Sequence, residues 1–303
     1  MVDRKRYDIA ASEDNPLDYA TARRDSDVLS YLRTALEEKT ALLAYQPIVA
    51  SRGSQSAVFY EGLIRIPDPT GRIIPARDFV FLAGETVLGR QIDCTALYLG
   101  LTELTKYPDL RLSINMSARS IGYGQWVDIL GRALRRDSSI ADHLILEITE
   151  SSAMLMPELV MHFMCDLRQR RITFALDDFG AGTTSFRYSR DFAFDIVKID
   201  GQFTKNVAAD ADNHIIIQSL RSISDHFSMF TIAKAVECER DSQWLSETLV
   251  DCQLGYFGGG ERQRSTQIGI KDIPRKRLRQ HSTFTLLPRC SKFDMSLIVR
   301  HAP

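Results

Sequence analysis

The sequence predicts a closed (β/α)8 barrel of the TIM type, and three observations carry that expectation. Short apolar runs rich in β-branched residues alternate with helical stripes over most of the chain, and strands separated by helical crossovers make a parallel sheet. About eight such units in roughly 220 residues match one barrel. A carboxylate, amide or lysine ends one expected strand after another, and a barrel gathers its working residues at the C-terminal strand ends. An open doubly wound sheet is the alternative, but its ligands gather at a switch point rather than at nearly every strand end.

The elements follow in chain order. Residues 1–24 are polar and without period, and read as a flexible N-terminal arm. Asp25, Ser26 and Asp27 suit the start of a helix whose apolar stripe is Val28, Leu29, Leu32 and Leu36. Strands are expected at 42–49 and 57–66, then a helical region at 76–105, a strand at 110–116 and a helix at 126–135. A strand at 144–149 precedes a helix at 157–170 with Leu159, Phe163, Met164 and Leu167 on one face. The strand 173–177 runs into the glycine-rich segment 178–185, read as a loop. Strands at 195–199, 230–236 and 253–257, with helices at 213–227 and 241–249, complete the pattern. The barrel domain is thus expected over 25–260. Residues 261–303 hold ten Lys or Arg against three acids, a basic C-terminal tail that reads as solvated or disordered.

Composition limits the function. The 303 residues are 44% hydrophobic and 25% charged, enough for a sizeable core. A formal net charge of −1 gives no overall attraction to a nucleic acid polymer or anionic lipid. Five scattered cysteines without C-x-x-C spacing indicate neither zinc nor a disulfide framework and fit a cytoplasmic protein. No window approaches the roughly 18 apolar residues of a spanning helix, so no membrane insertion is expected. The six histidines have no comparable placement at strand ends and read as structural or surface residues.

The strand-end residues are Glu61, Asn115, Glu147, Asp177, Asp178, Lys198 and Glu237. Acids gathered around one point repel each other unless a cation sits among them. All but Lys198 are oxygen donors, which hard cations such as Mg²⁺ and Mn²⁺ prefer. Adjacent Asp177 and Asp178 form a natural bridge for a two-metal site, an arrangement that activates water and stabilises the leaving oxygen of a phosphoester. Lys198 is placed to orient the water or offset developing charge. Arg65, four residues past Glu61, is suited to a phosphate oxygen. Singly, each residue is as readily a solvated acid, a turn former or an ion-pair partner; Glu150 alone reads as a helix cap.

These residues resemble the EAL domains, the cyclic di-GMP phosphodiesterases. Glu61-Gly62-Leu63-Ile64-Arg65 is similar to the E-A-L-x-R signature, and Tyr45-Gln46-Pro47-Ile48-Val49 to the family's first strand. Ser113-Ile114-Asn115-Met116-Ser117, Leu146-Glu147-Ile148-Thr149-Glu150, the loop from Asp177 to Ser185 and Lys198-Ile199-Asp200 follow in family order. The resemblance implies a TIM-type barrel that hydrolyses cyclic di-GMP to linear pGpG with Mg²⁺ or Mn²⁺ at a two-metal site. It implies that Glu61, Asn115, Glu147, Asp177, Asp178 and Glu237 serve the metals and that Lys198 assists the attacking water. It assigns substrate contacts to Gln46 and Arg65, makes Glu150 the anchor of the 178–185 loop, and makes a homodimer through the region around that loop an expectation.

Three departures set up alternatives. Gly62 replaces the signature alanine. Ala233-Lys234-Ala235-Val236-Glu237 departs from A-E-G-V-E, placing Lys234 where the first glutamate belongs. Pointing inward, it would compete with a metal; pointing outward, it would matter little. Leu254 stands at the glutamine of the last motif, with Gln253 one position off, and a one-residue slip turns a strand side chain to the other face. An active phosphodiesterase is the leading expectation. A catalytically silent cyclic di-GMP receptor and an interaction module that reuses the barrel are the alternatives.

Overall fold

The computed structural model describes residues 16–53, 57–84, 86–181 and 192–255. Among them one sheet contains β1 (Leu42–Ala50), β2 (Ala57–Pro67), β3 (Ile73–Pro75), β4 (Leu112–Asn115), β5 (Leu144–Thr149), β6 (Thr173–Phe179), β7 (Ile196–Ile199), β8 (Phe230–Val236) and β9 (Cys252–Gly255). The order is β1-β9-β8-β7-β6-β5-β4-β2-β3, and a further β1–β2 pairing closes eight strands into a barrel with β3 outside the ring. The expected (β/α)8 architecture is therefore present, with one difference. β1 runs antiparallel to both its neighbours, β2 and β9, while the other barrel pairings are parallel. Only residues 51–56 join β1 to β2. A parallel crossover needs a dozen or more residues, so this short connection makes a hairpin.

The first helix spans Pro16–Glu37, starting well before the expected cap at Asp25. Residues 18–24 are exposed and present no buried apolar stripe to read, yet proline suits a first helical position and the chain is helical from there. The segment expected as an arm is thus helical at 16–24. Residues 1–15 and the basic tail 261–303 lie outside the described residues.

Strand alternation sorts the apolar residues into two layers. Ile48, Phe59, Ile145, Ala175, Ile196, Ile232, Cys252 and Leu254 fill the barrel interior. The opposite faces, including Leu112, Leu146, Phe174 and Val197, pack outward against helical residues such as Leu97, Trp126, Met164 and Leu245. Gly62 belongs to this outer packing. A Cβ there would lie 2.8 Å from Ile114 Cδ1, so the isoleucine already fills the place of the signature methyl.

Candidate active site

The interior strand faces carry the site. Glu61 lies two residues beyond interior Phe59, Glu147 two beyond Ile145, Asp177 two beyond Ala175 and Lys198 two beyond Ile196. The two-residue period of a strand aims all four side chains into the same mouth. One carboxylate oxygen from each of Glu61, Glu147 and Asp177 lies within 4.8 Å of the others. Lys198, fully buried, sits among them: its Nζ is 2.6 Å from Glu147 Oε2, 2.9 Å from Glu61 Oε2 and 3.8 Å from Asp177 Oδ1. Asn115 Nδ2 donates to Glu61 Oε1 at 3.0 Å.

Three buried acids face one lysine, and the electrostatics follow from that excess. Burial would discharge Lys198, but Asp177, Glu147 and Glu61 outweigh it and hold the ammonium charged. Glu147 is the acid least able to hold its charge. Burial, with Glu61 and Asp177 nearby, pushes its carboxyl up to about 8 against the pull of Lys198. Its second oxygen, Oε1, is buried with no hydrogen-bond partner. An orphaned carboxylate oxygen beside two more acids and an amide is a hard-cation donor set, and these residues fit one divalent ion.

The second half of the expected metal set is arranged differently. Opposite β7, β6 carries one extra residue between Leu176 and Phe179, and Asp178 at that bulge has φ +56°. Consecutive Asp177 and Asp178 thereby both reach Lys234, two residues beyond interior Ile232. Lys234 Nζ donates to Asp177 Oδ1 at 2.8 Å and to Asp178 Oδ1 at 2.6 Å. Burial tends to raise Asp177, yet Lys198 and Lys234 together hold its carboxyl below the usual range. Burial and then Asp177 raise Asp178. Lys234 therefore points inward. Glu237 does not join this group: it is half-exposed at the rim, 3.9 Å from Lys205.

The remaining expected residues fall around the mouth. Gln46 lies directly opposite Glu61 in the β1–β2 pairing, which puts both on one face. Arg65 is buried on β2, its Nη1 donating to the Ile64 carbonyl at 2.8 Å. Glu150 is buried and its Oε2 accepts the Gly180 N–H at 3.0 Å, at the start of the 178–185 loop; residues 182–191 lie outside the described ones. Leu254 packs into the barrel interior. Gln253 faces the other way, where it bonds Ser242 and Ser246 on the helix Glu239–Glu247. The slip in the last motif has put leucine, not glutamine, on the interior face.

Sequence reading missed Asp93. This buried acid on the helix Val87–Lys106 accepts the Ser117 N–H at 2.9 Å and the Ser120 hydroxyl at 2.6 Å, fixing the turn that follows Asn115. The available signal was an acid on the apolar face of a helix, next to Ile92 and Cys94.

A family model described as EAL domain matches residues 30–259. The chain belongs to the EAL domain family. This EAL domain is 32% identical over 230 residues to "Cyclic di-GMP phosphodiesterase PdeB" of Shewanella oneidensis, covering 74% of the chain and 27% of that protein. It is 29% identical over 248 residues to "Bifunctional diguanylate cyclase/cyclic di-GMP phosphodiesterase MucR" of Pseudomonas aeruginosa, covering 79% of the chain and 36% of that protein. The chain thus spans about a third of these relatives. Among solved structures it resembles the PaMucR phosphodiesterase in complex with c-di-GMP, with TM-score 0.65, 29% identity, and coverage of 75% of this chain and 94% of that one. The c-di-GMP-bound FimX EAL domain from Pseudomonas aeruginosa shares the fold, with TM-score 0.70 at 24% identity over 78% of this chain and 97% of that one.

Proposed function

We propose that this EAL domain is a metal-dependent phosphodiesterase that hydrolyses cyclic di-GMP to linear pGpG with Mg²⁺ or Mn²⁺. The observation that carries the reading is the convergence of Glu61, Glu147 and Asp177, with Asn115 bonded to Glu61 and one Glu147 oxygen left without a partner. A divalent ion held there supplies Lewis-acid stabilisation of the phosphate and a more acidic water. Glu61, Asn115, Glu147 and Asp177 hold it, with Asp178 beside them and Glu237 at the rim. Lys198 keeps the acids at close range and carries the proton donor that orients the attacking water. Gln46 and Arg65, on β1 and β2, bind the dinucleotide, and Glu150 anchors the adjoining loop through Gly180. Addition of water across one phosphodiester bond leaves a 5′-phosphate and a 3′-hydroxyl.

Free thiols at Cys94, Cys165, Cys238 and Cys252 suit a reducing cytoplasm. No helix among the described residues is long and apolar enough to cross a membrane. The expected homodimer contact, around residues 178–185, falls outside the described residues from 182 onward and rests on the resemblance.

Purified protein supplied with Mg²⁺ or Mn²⁺ converts cyclic di-GMP to pGpG, read by chromatography, and Glu61→Ala or Asp177→Ala abolishes product. Absence of turnover with both metals overturns the enzymatic reading. A second reading, cyclic di-GMP binding without hydrolysis, is favoured by Lys234 on the paired aspartates and by Leu254 in the interior. Calorimetric binding without product would select it.

A further inference from the structure

We infer that Lys234 is a built-in replacement for one of two divalent ions, so that this EAL domain takes a single divalent cation per chain. The inference rests on the reading of the mouth as a metal site and specifies how that site is filled.

Two independent arguments support it. The first is steric. A small divalent ion bridging Asp177 and Asp178 would lie roughly 2.1 Å from one oxygen of each. Lys234 Nζ already stands 2.8 Å from Asp177 Oδ1 and 2.6 Å from Asp178 Oδ1, so ammonium and ion compete for the same oxygens. Lys234 is also held in place. Its side chain is 22% exposed, and its carbonyl accepts a hydrogen bond from the Thr204 hydroxyl. Opposite β9, β8 carries an extra residue between Ala233 and Val236, with Ala235 at φ +54°.

The second argument is charge. With every carboxylate ionised, the form that a bound cation selects, Glu61, Glu147, Asp177 and Asp178 bring four negative charges to the mouth, and Lys198 and Lys234 bring two positive ones. The two-charge deficit equals one divalent ion. A second ion would leave the mouth net positive around a fully buried Lys198, a costly arrangement in a low-dielectric setting. With glutamate at position 234 the deficit becomes four, which two divalent ions neutralise.

The test counts ions. The purified 303-residue chain is dialysed against Mn²⁺ at saturating concentration, and bound Mn²⁺ is measured by elemental analysis and electron paramagnetic resonance. The inference expects one uncoupled Mn²⁺ per wild-type chain and two spin-coupled ions per Lys234→Glu chain. Two ions in wild type overturn the replacement while leaving the metal reading intact. One ion in both chains overturns the claim that Lys234 excludes the second. No ion in either chain overturns the metal reading itself, and this inference with it. The wild-type count needs no variant to fold. Lys234→Ala, which removes the ammonium without adding a carboxylate, serves as the second variant and is expected to bind more Mn²⁺ than wild type.

Discussion

Glu147 is the residue under most electrostatic stress, and its behaviour gives a pH prediction. Its carboxyl rises from an ordinary 4.5 to about 8 on folding without a cation. Stability from a raised acid is fully present below the unfolded value and is lost as pH climbs through the folded one. Chelated protein is therefore expected to lose roughly 2–4 kcal/mol between pH 5 and pH 8 from this group, at about 1.4 kcal/mol per pKa unit. Asp93, also raised by burial, to about 7, adds to the fall. Urea unfolding in chelator should show a shallower fall for Glu147→Gln than for wild type; identical slopes would contradict the assignment. Ala235 gives a second prediction. A non-glycine residue in the left-handed region costs about 1–2 kcal/mol, offset in part by the extra chain entropy of a glycine. Ala235→Gly should raise unfolding free energy by about 1 kcal/mol. At this scale Glu61, Glu147, Asp177 and Asp178 were legible, because carboxylates at strand ends are visible as a series, whereas Glu237, read from the same series, lies at the rim beyond the β8 bulge. The sequence did not reveal the direction of Lys234. Both faces of a barrel strand are buried, so Thr231, Ile232 and Ala233 give no polar alternation from which the inward face can be read.

Two strand irregularities make the site what it is. The β6 bulge turns consecutive aspartates toward one lysine, and the β8 bulge follows Lys234 directly. The second depends on Gly255: a Cβ there would lie 1.8 Å from the Val236 carbonyl oxygen, so the two backbones meet only without a side chain. Gly255→Ala forces β8 and β9 apart and is expected to cost about 3 kcal/mol, at the upper end for overpacking, read by thermal or urea unfolding. Bulges of this kind were not legible, since they change register without changing composition. Other features of the elements were legible. The strands β4 to β8 fell close to their expected positions because each is a short apolar run bounded by turn residues. The β1–β2 hairpin was missed because a generic alternation of strands and helices implies all-parallel order, and only the short link at 51–56 argues otherwise.

For the whole molecule, the two apolar layers set the frame, and the mouth between strand ends holds surplus negative charge over an apolar floor. A ligand that binds only the folded chain stabilises it by about 2.7 kcal/mol at a hundredfold excess over its dissociation constant. At roughly 2–4 °C per kcal/mol for a domain of this size, saturating Mn²⁺ should raise the melting temperature by roughly 5–10 °C. The rise should be absent in Glu61→Gln with Glu147→Gln. The barrel class and its mouth were readable from the order of strands and acids along the chain; the filling of the mouth depends on three-dimensional contacts between β6 and β8. The most direct measurement is therefore anomalous diffraction from crystals soaked in Mn²⁺ and cyclic di-GMP. The account predicts one manganese peak beside Glu61, Asn115, Glu147 and Asp177, with Lys234 still on Asp177 and Asp178 and the dinucleotide against Gln46 and Arg65. Two peaks with Lys234 displaced, or no peak among these acids, would contradict it.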